Sequence, residues 1–307
     1  MMDILAFDFG GTRGRCCLAQ ADGSHSDVVA LARAPDEHGA RWLARLLDAG
    51  RRVNQAPGKR RIVGISFGGP VSPEGRVVSM HVPGWEKVDL VREMSTAFGL
   101  PVCIENDGNT GALGEHRHGA GRGTRYMAFL NVSTGIGGGV ILDGQLYRGA
   151  HGLAAEFGHM VMDGRDTAPQ YAAGKPGVLE ALACGPAIER DGRAKLASLG
   201  LPVPAGFTAK HVFDAARLRL AWAIEVRDTT VAHFARGVAA AICAYDPERV
   251  VIGGGVSLAG DAFFVPLRAM VTRYLPHYLE NKADIVPAAL GDHAPLMGAV
   301  VAAAERV

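Results

Sequence analysis

Residues 131–147 read NVSTGIGGGVILDGQLY, and glycines at 135, 137, 138 and 139 break up apolar residues that would otherwise pair as an ordinary strand. Glycine inside a strand loses the most chain entropy and offers no side chain to pack. Something must therefore approach this backbone closely enough to exclude a Cβ. The same device occurs earlier. An apolar strand at residues 4–9 runs into DFGGTRGR, and strands at 13–20 and 27–32 follow with ADGS between them. At residues 126–132 the order strand, glycine-rich turn, strand, Asp-Gly begins again, and Asp-Gly is a favoured pair for a two-residue hairpin. A third strand, in YDPERVVIGGGVS, ends at Gly253, Gly254 and Gly255. A supersecondary unit that recurs so far along a chain indicates duplicated domains rather than a solenoid. Helices alternate with the later strands, which predicts an α/β fold with mixed sheets.

Helical spacing marks residues 37–48, with Trp42, Leu43, Leu46 and Leu47 on one side, and residues 108–118, 179–190, 209–220, 221–244 and 295–306. RIVGISF is a strand leading into the turn GGPV, GWEKVDLVREMSTAFG begins as loop and becomes helical, and PVCIEND is a strand ending in Glu105, Asn106 and Asp107. No low-complexity linker divides the chain, so the domain junction is expected as a hinge in residues 108–123. The formal charge of +1, from 32 basic and 31 acidic residues, gives no electrostatic footprint for nucleic acid. GKRR at 58–61 is a solvated turn. Five cysteines without framework spacing fit a reducing compartment. The N-terminus lacks the cationic start of a signal peptide, and no apolar run reaches the roughly 18 residues of a membrane span. A soluble cytoplasmic protein is expected, without a membrane partner.

Glycine-rich turns at strand ends expose successive backbone N–H groups, and such concave clusters bind phosphate. Three of them point to a nucleotide. None has the Gly-Lys-Ser/Thr of a P-loop, and the run from Gly135 enters a strand rather than the helix that a dinucleotide fingerprint requires. Asp8 stands just before Gly10, Gly11 and Thr12. A bare carboxylate repels phosphate, so it makes sense there with Mg²⁺ between them; it also reads as a turn-stabilising aspartate. Asp107 has two readings as well. It is an N-cap for the helix that follows, or a base that accepts a hydroxyl proton in phosphoryl transfer.

DFGGT, GISFGGPV, IENDGNTGALGE, STGIGGG, AAEFGH and VVIGGGVS, in that order, resemble the ROK family of sugar kinases and sugar-responsive repressors, over almost the whole chain. The resemblance implies the actin-like (ribonuclease H-like) ATPase fold, with duplicated mixed-sheet domains and ATP in an interdomain cleft. The smaller domain would comprise residues 1–112 and 292–307, the larger 113–291. Asp8, Gly10, Gly11, Thr12, Thr134, Gly135, Gly137, Gly138, Gly253, Gly254 and Gly255 would meet ATP, with Mg²⁺ near Asp8. Asp107 would be the base. Gly69, Asn106, Asp107, Glu156, His159 and Glu180 would bind the sugar. A homodimer is implied by the likeness alone.

The chain also departs from that family. Most members hold a structural zinc with the His of GH and three cysteines, where this chain has His159 with Tyr171, Ala173 and Val178; Gly174, Gly177 and Glu180 stay in place. A closed zinc site needs about four N or S ligands, so no zinc is expected, with Ala173 and Val178 packed where the metal would lie. His81 and His151 replace family asparagines near the sugar, or are surface histidines. The usual Pro-Gly-Pro turn is Gly68-Gly69-Pro70. Two functions from different classes follow: an ATP-dependent hexose kinase acting on the 6-hydroxyl, and a sugar-binding sensor or regulator without catalysis. Repressors of the family carry a DNA-binding region before the first glycine turn, whereas Asp8 stands close to the start of this chain. That favours the kinase.

Overall fold

The computed structural model describes residues 3–54, 61–80, 82–171 and 174–306. Residues 58–60 of the GKRR segment, His81 and Ala173 lie outside the described residues. The chain forms two compact units, one comprising Met1–Gly123, Gly139–Ala155 and Asp292–Val307, the other Thr124–Gly138 and Glu156–Gly291.

The first sheet contains β1 (Asp3–Phe9), β2 (Arg13–Gln20), β3 (Val29–Ala32), β4 (Arg61–Phe67) and β5 (Val102–Asn106), in the order β3-β2-β1-β4-β5. The β1–β2 and β2–β3 pairs are antiparallel, while β1–β4 and β4–β5 are parallel. The second sheet contains β6 (Met127–Val132), β7 (Ile136–Leu142), β8 (Gln145–Leu146), β9 (Arg249–Gly253) and β10 (Asp284–Pro287). Its order, β10-β9-β6-β7-β8, is the same arrangement with the numbers advanced by one set of strands. The repeated sequence unit is therefore a repeated topology, and both sheets mix parallel and antiparallel pairs as expected.

Local chemistry sets the turns. Asp143 and Gly144 have φ of 53° and 76°, the paired left-handed conformation of a tight hairpin between β7 and β8. Asp22-Gly23 turns the chain after β2, and an isolated bridge from Ala19 to His25 carries it back before β3 begins.

Helix α1 (Gly39–Val53) buries Trp42, Leu43, Leu46 and Leu47 against the first sheet, beside Phe7 and Phe9. Trp85 stands edge-on to Phe9 and Phe67, with ring centroids 5.7 and 5.2 Å away. α2 (Leu90–Phe98) adds Leu90 and Met94 to this core. The helix carrying Asp107, α3 (Asp107–His118), packs against the C-terminal helix (Ala294–Ala304) with glycines at the contact. A Cβ on Gly114 would lie 2.3 Å from the Ala294 carbonyl oxygen, and one on Gly298 would lie 1.6 Å from that of Thr110.

In the second unit the expected single helix at 179–190 is two, α4 (Leu179–Ala183) and α5 (Gly185–Ser198), broken at Cys184 in extended conformation. Pro186 accounts for the break, since its ring would clash with the carbonyl one turn back in a continuous helix. α6 (Ala209–Arg217) stops short of Leu220. Arg219 takes a left-handed φ of 60° there, and Leu220 N–H donates to the Ala215 carbonyl in a capping bond. α7 (Ala221–Tyr245) follows. α8 (Asp261–Tyr274) and β10 have no counterpart in the sequence reading; Pro266 inside α8 obscures its helical pattern. The C-terminal helix is α9.

Candidate active site

A row of polar residues crosses the first sheet at the C-terminal ends of its parallel strands. Register places Arg15 of β2 beside Asp8 of β1, Asp8 beside Ser66 of β4, and Ser66 beside Glu105 of β5. Asp8 is buried, and burial pushes its carboxyl above the usual range, opposed by Arg15 and by the Ser66 hydrogen bond. Its Oδ2 accepts from Arg15 Nη1 at 3.0 Å and its Oδ1 from Ser66 Oγ at 3.0 Å. Arg15 also donates to the Asp292 carbonyl oxygen at 2.7 Å. Among the described residues the donors to Asp8 are thus side chains on the neighbouring strands.

The Gly10–Thr12 turn closes through Gly10 N–H to the Arg13 carbonyl, 3.0 Å. Arg33 holds its far side, with Nε 2.5 Å from the Gly11 carbonyl oxygen and its own N–H donating to that of Thr12. A Cβ on Gly10 would come within 2.7 Å of Arg13 O, so the turn itself demands that glycine.

At the end of β5, Asn106 is the residue that caps α3. Its Oδ1 accepts from Gly108 and Asn109 N–H at 2.8 and 3.2 Å, and its Nδ2 donates to the Gly69 carbonyl at 2.9 Å and to Asp107 Oδ1 at 3.2 Å. The amide expected to bind sugar is committed to the protein in this structure. Asp107 is the first helical residue, and its Oδ1 also accepts from Gly108 N–H at 2.9 Å. Its Oδ2 turns toward Gly68, whose missing Cβ would lie 3.7 Å away. Gly69 has φ 147° and no room for a side chain, since a Cβ would meet Val78 O at 2.2 Å. Buried Glu105 accepts from Asn109 Nδ2 at 2.9 Å and pairs with Arg148 Nε at 2.6 Å. That pair ties the start of the loop carrying exposed His151 to the first unit.

In the second unit the glycines of STGIGGG have separate reasons. Gly135 would meet Glu180 Oε2 at 2.4 Å, and the same oxygen accepts from Ile136 N–H at 2.8 Å. Gly138 would meet Phe129 O at 2.4 Å and the Phe157 ring at 2.5 Å. At Gly137 nothing lies within 4 Å. So the close approach inferred from the sequence is made at Gly135, Gly138 and Gly139 by the protein's own atoms, and Gly137 is the position open to a ligand. Gly254, with φ 89°, lies against Val132 O, while a Cβ on Gly255 would stand 3.8 Å from Ser133 Oγ. Gly253 backs onto Phe129 and Ala288.

Thr134 and Gly255 line one side of a cavity of about 560 Å³, with Gly185, Phe213, Lys210 and Arg217 around the rest. Gly185 N–H, at the start of α5, donates to Ser133 O at 2.7 Å, which joins the second glycine turn to that helix. Lys210 and Arg217 both pair with Asp214, and Arg217 Nη2 donates to Ala259 O at 2.6 Å. Glu156 precedes and His159 ends a single turn of 3-10 helix (Phe157–His159), His159 Nε2 standing 3.9 Å from Glu156 Oε2. Burial raises the Glu156 carboxyl above its usual range; His159 opposes the shift and Glu180 adds to it. Glu156, His159 and Glu180 are thus neighbours, although Glu180 serves the second turn.

Sequence reasoning missed Arg15, Ser66, Arg33 and the cavity's Lys210 and Arg217. Two signals for them existed. Arg15 is the position opposite Asp8 across the hairpin. Lys210, Asp214 and Arg217 follow the spacing of one helical face.

The ROK family pattern matches residues 4–306.

The chain belongs to the ROK family.

It is 35% identical, over 320 aligned positions, to a glucokinase of Thermotoga maritima, covering 100% of this chain and 98% of that protein. Among solved structures it is similar to the ROK hexokinase of Thermus thermophilus, with a TM-score of 0.84, 31% identity and 99% of each chain covered. It is also similar to a ROK family glucokinase from Streptomyces griseus, solved with glucose and AMPPNP, with a TM-score of 0.85, 28% identity and 99% of each chain covered. The duplicated sheets are those of ROK sugar kinases, an actin-like ATPase fold. Tyr171, Ala173 and Val178 stand where the resemblance places the family's zinc cysteines. Val178 is buried and bridges to Val161, while Ala173 lies outside the described residues. Among the described residues, no helix is long and apolar enough to cross a membrane.

Proposed function

We propose that this phosphotransferase of the sugar-kinase kind moves the γ-phosphoryl group of ATP to a hexose hydroxyl, the 6-hydroxyl, with Asp107 as general base. The observation that carries the reading is the division of labour at the start of α3. Asn106 is the N-cap, accepting from Gly108 and Asn109 N–H, while Asp107 is the first helical residue and turns its Oδ2 toward Gly68. Two donors pin Asp107 Oδ1, which orients the carboxylate as a proton acceptor must be oriented.

In the proposed step the sugar oxygen passes its proton to Asp107 as it bonds to the γ-phosphorus, and the bond to the bridging oxygen of ADP breaks. Such transfers depend on positioning and charge stabilisation rather than covalent chemistry by the protein. Mg²⁺ bound with the nucleotide would shield the phosphate charge. Asp8 fits that ion, because among the described residues each of its oxygens accepts one side-chain bond and keeps an acceptor lone pair. One or two carboxylates plus substrate phosphates are what Mg²⁺ ordinarily requires. Thr134, Gly137 and Gly255 would line the nucleotide, and Glu156 and His159 would bind sugar hydroxyls. Buried donor–acceptor pairs of this kind reject analogues that leave a polar group unsatisfied.

The test is ADP release from Mg-ATP across free hexoses, ketoses and N-acetylhexosamines. Sugar-dependent release supports the kinase and names its substrate class. Silence across the panel, with sugar binding still visible as a thermal shift, supports the sensor instead.

A further inference from the structure

Ser66 and Thr110 are buried hydroxyls that the reaction as described does not use. Thr110 Oγ1 lies 3.0 Å from Ser66 Oγ, 3.0 Å from the Asn106 carbonyl oxygen and 3.1 Å from that of Asp107. Ser66 Oγ lies 3.0 Å from Asp8 Oδ1. Asp8, Ser66 and Thr110 are thus linked in one chain of hydrogen bonds, from the carboxylate near the end of β1 to the first turn of the helix that carries Asp107.

The direction of that chain follows from donor arithmetic. An ionised carboxylate only accepts, so the single Ser66 proton goes to Asp8. Ser66 Oγ then offers lone pairs, and the single Thr110 proton has a choice between Ser66 and its own helix carbonyls. A threonine inside a helix ordinarily satisfies itself on the carbonyl four residues back. Here a second acceptor competes, Ser66 Oγ at 3.0 Å, whose own proton is directed at Asp8. Bonds linked in series at low dielectric reinforce one another.

We infer that Ser66 and Thr110 are positioning residues, a two-hydroxyl relay that holds Asp8 and the N-terminal turn of α3 in a single arrangement. The inference rests on the kinase reading for its consequence. The carboxylate facing the nucleotide's metal and the base facing the sugar are set by the same chain of bonds. Ser66→Ala removes the donor to Asp8 and the competing acceptor for Thr110. Thr110→Val removes the hydroxyl at nearly constant shape, and Thr110→Ser keeps it.

Two readouts decide the matter. Calorimetry of AMPPNP binding with Mg²⁺ and with chelator needs no turnover. Ser66→Ala is expected to reduce the Mg²⁺-dependent gain in affinity about tenfold, the scale of one hydrogen bond to a charged group. Steady-state rates should show kcat lowered about tenfold in Thr110→Val, with sugar affinity within about twofold, and restored by Thr110→Ser. The double variant should lose little more than the worse single one, because both substitutions cut the same chain. Lower melting temperatures with an unchanged Mg²⁺-dependent gain would overturn the relay and leave two core hydroxyls. Equal loss in Thr110→Ser and Thr110→Val would overturn it too. A wild-type protein inert toward every sugar would defeat the kinase reading instead, and the calorimetric comparison would still judge the relay.

Discussion

Asp107 and Asn106 are adjacent, and only their different bonding separates a base from a cap. Asp107→Asn keeps an oxygen where Oδ1 accepts from Gly108 and Asn106, so the start of α3 should stay folded. Turnover is expected to fall by about 10²–10⁴, the usual contribution of a general base, with sugar affinity nearly unchanged by calorimetry. Near-normal rates would remove the base role. The glycines of the second turn offer a finer contrast. Gly137 has open space around it, so Gly137→Ala should leave the melting temperature at or slightly above wild type. If the phosphates lie against it, nucleotide affinity should fall while sugar affinity holds. Gly138→Val should do the reverse, losing about 1–3 kcal/mol of stability by overpacking against Phe129 and Phe157. Equal effects of the two on nucleotide binding would remove Gly137 from the phosphate site. Sequence showed that glycine was required in this run. It could not show which neighbour required it, because Phe129, Phe157 and Glu180 come from other elements.

Elements were legible where periodicity and turn chemistry agreed. β2 ends where it was expected, and α1 buries the four apolar residues that its spacing selects. They were lost where one residue overrides the pattern, as Pro186 splits α4 from α5 and Pro266 hides α8. The segment that lacks the zinc cysteines is held by backbone pairing. Met162 and Asp163 N–H both donate to Gly177 O, and Leu179 N–H donates to Met160 O. Gly177 has φ 72°, and a Cβ there would lie 1.8 Å from Asp163 O. These bonds lead to the expectation that the segment needs no metal. Elemental analysis should find no stoichiometric zinc, and a chelator should leave the melting temperature unchanged, since a structural zinc contributes folding energy outright. A full equivalent of zinc, or a chelator-induced loss of stability, would contradict this account of residues 171–178.

At the scale of the whole chain, the two sheets share one strand order, and that much followed from noticing a repeated strand–glycine–strand unit. What each copy does with its turn was not legible. In the first unit the turn is followed by a strand whose Arg15 returns to Asp8, building a carboxylate site. In the second, the corresponding strand end leads to Thr134 and to the cavity closed by α5 and α6, and Asn131, not an acid, stands one residue before the end of β6 as Asp8 does in β1. Duplication followed by divergence therefore assigns a buried carboxylate to one copy and a roomy cavity, lined by Phe213, Lys210 and Arg217, to the other. Hydrogen exchange tests that division. AMPPNP without metal should protect the peptides around 133–134, 185–189, 208–217 and 255–259, because that cavity supplies shape and backbone donors rather than a cation site. Added Mg²⁺ should extend protection to residues 8–12. If protection appears at residues 8–12 without metal, or never reaches α5 and α6, the cavity is not where the nucleotide's apolar end resides.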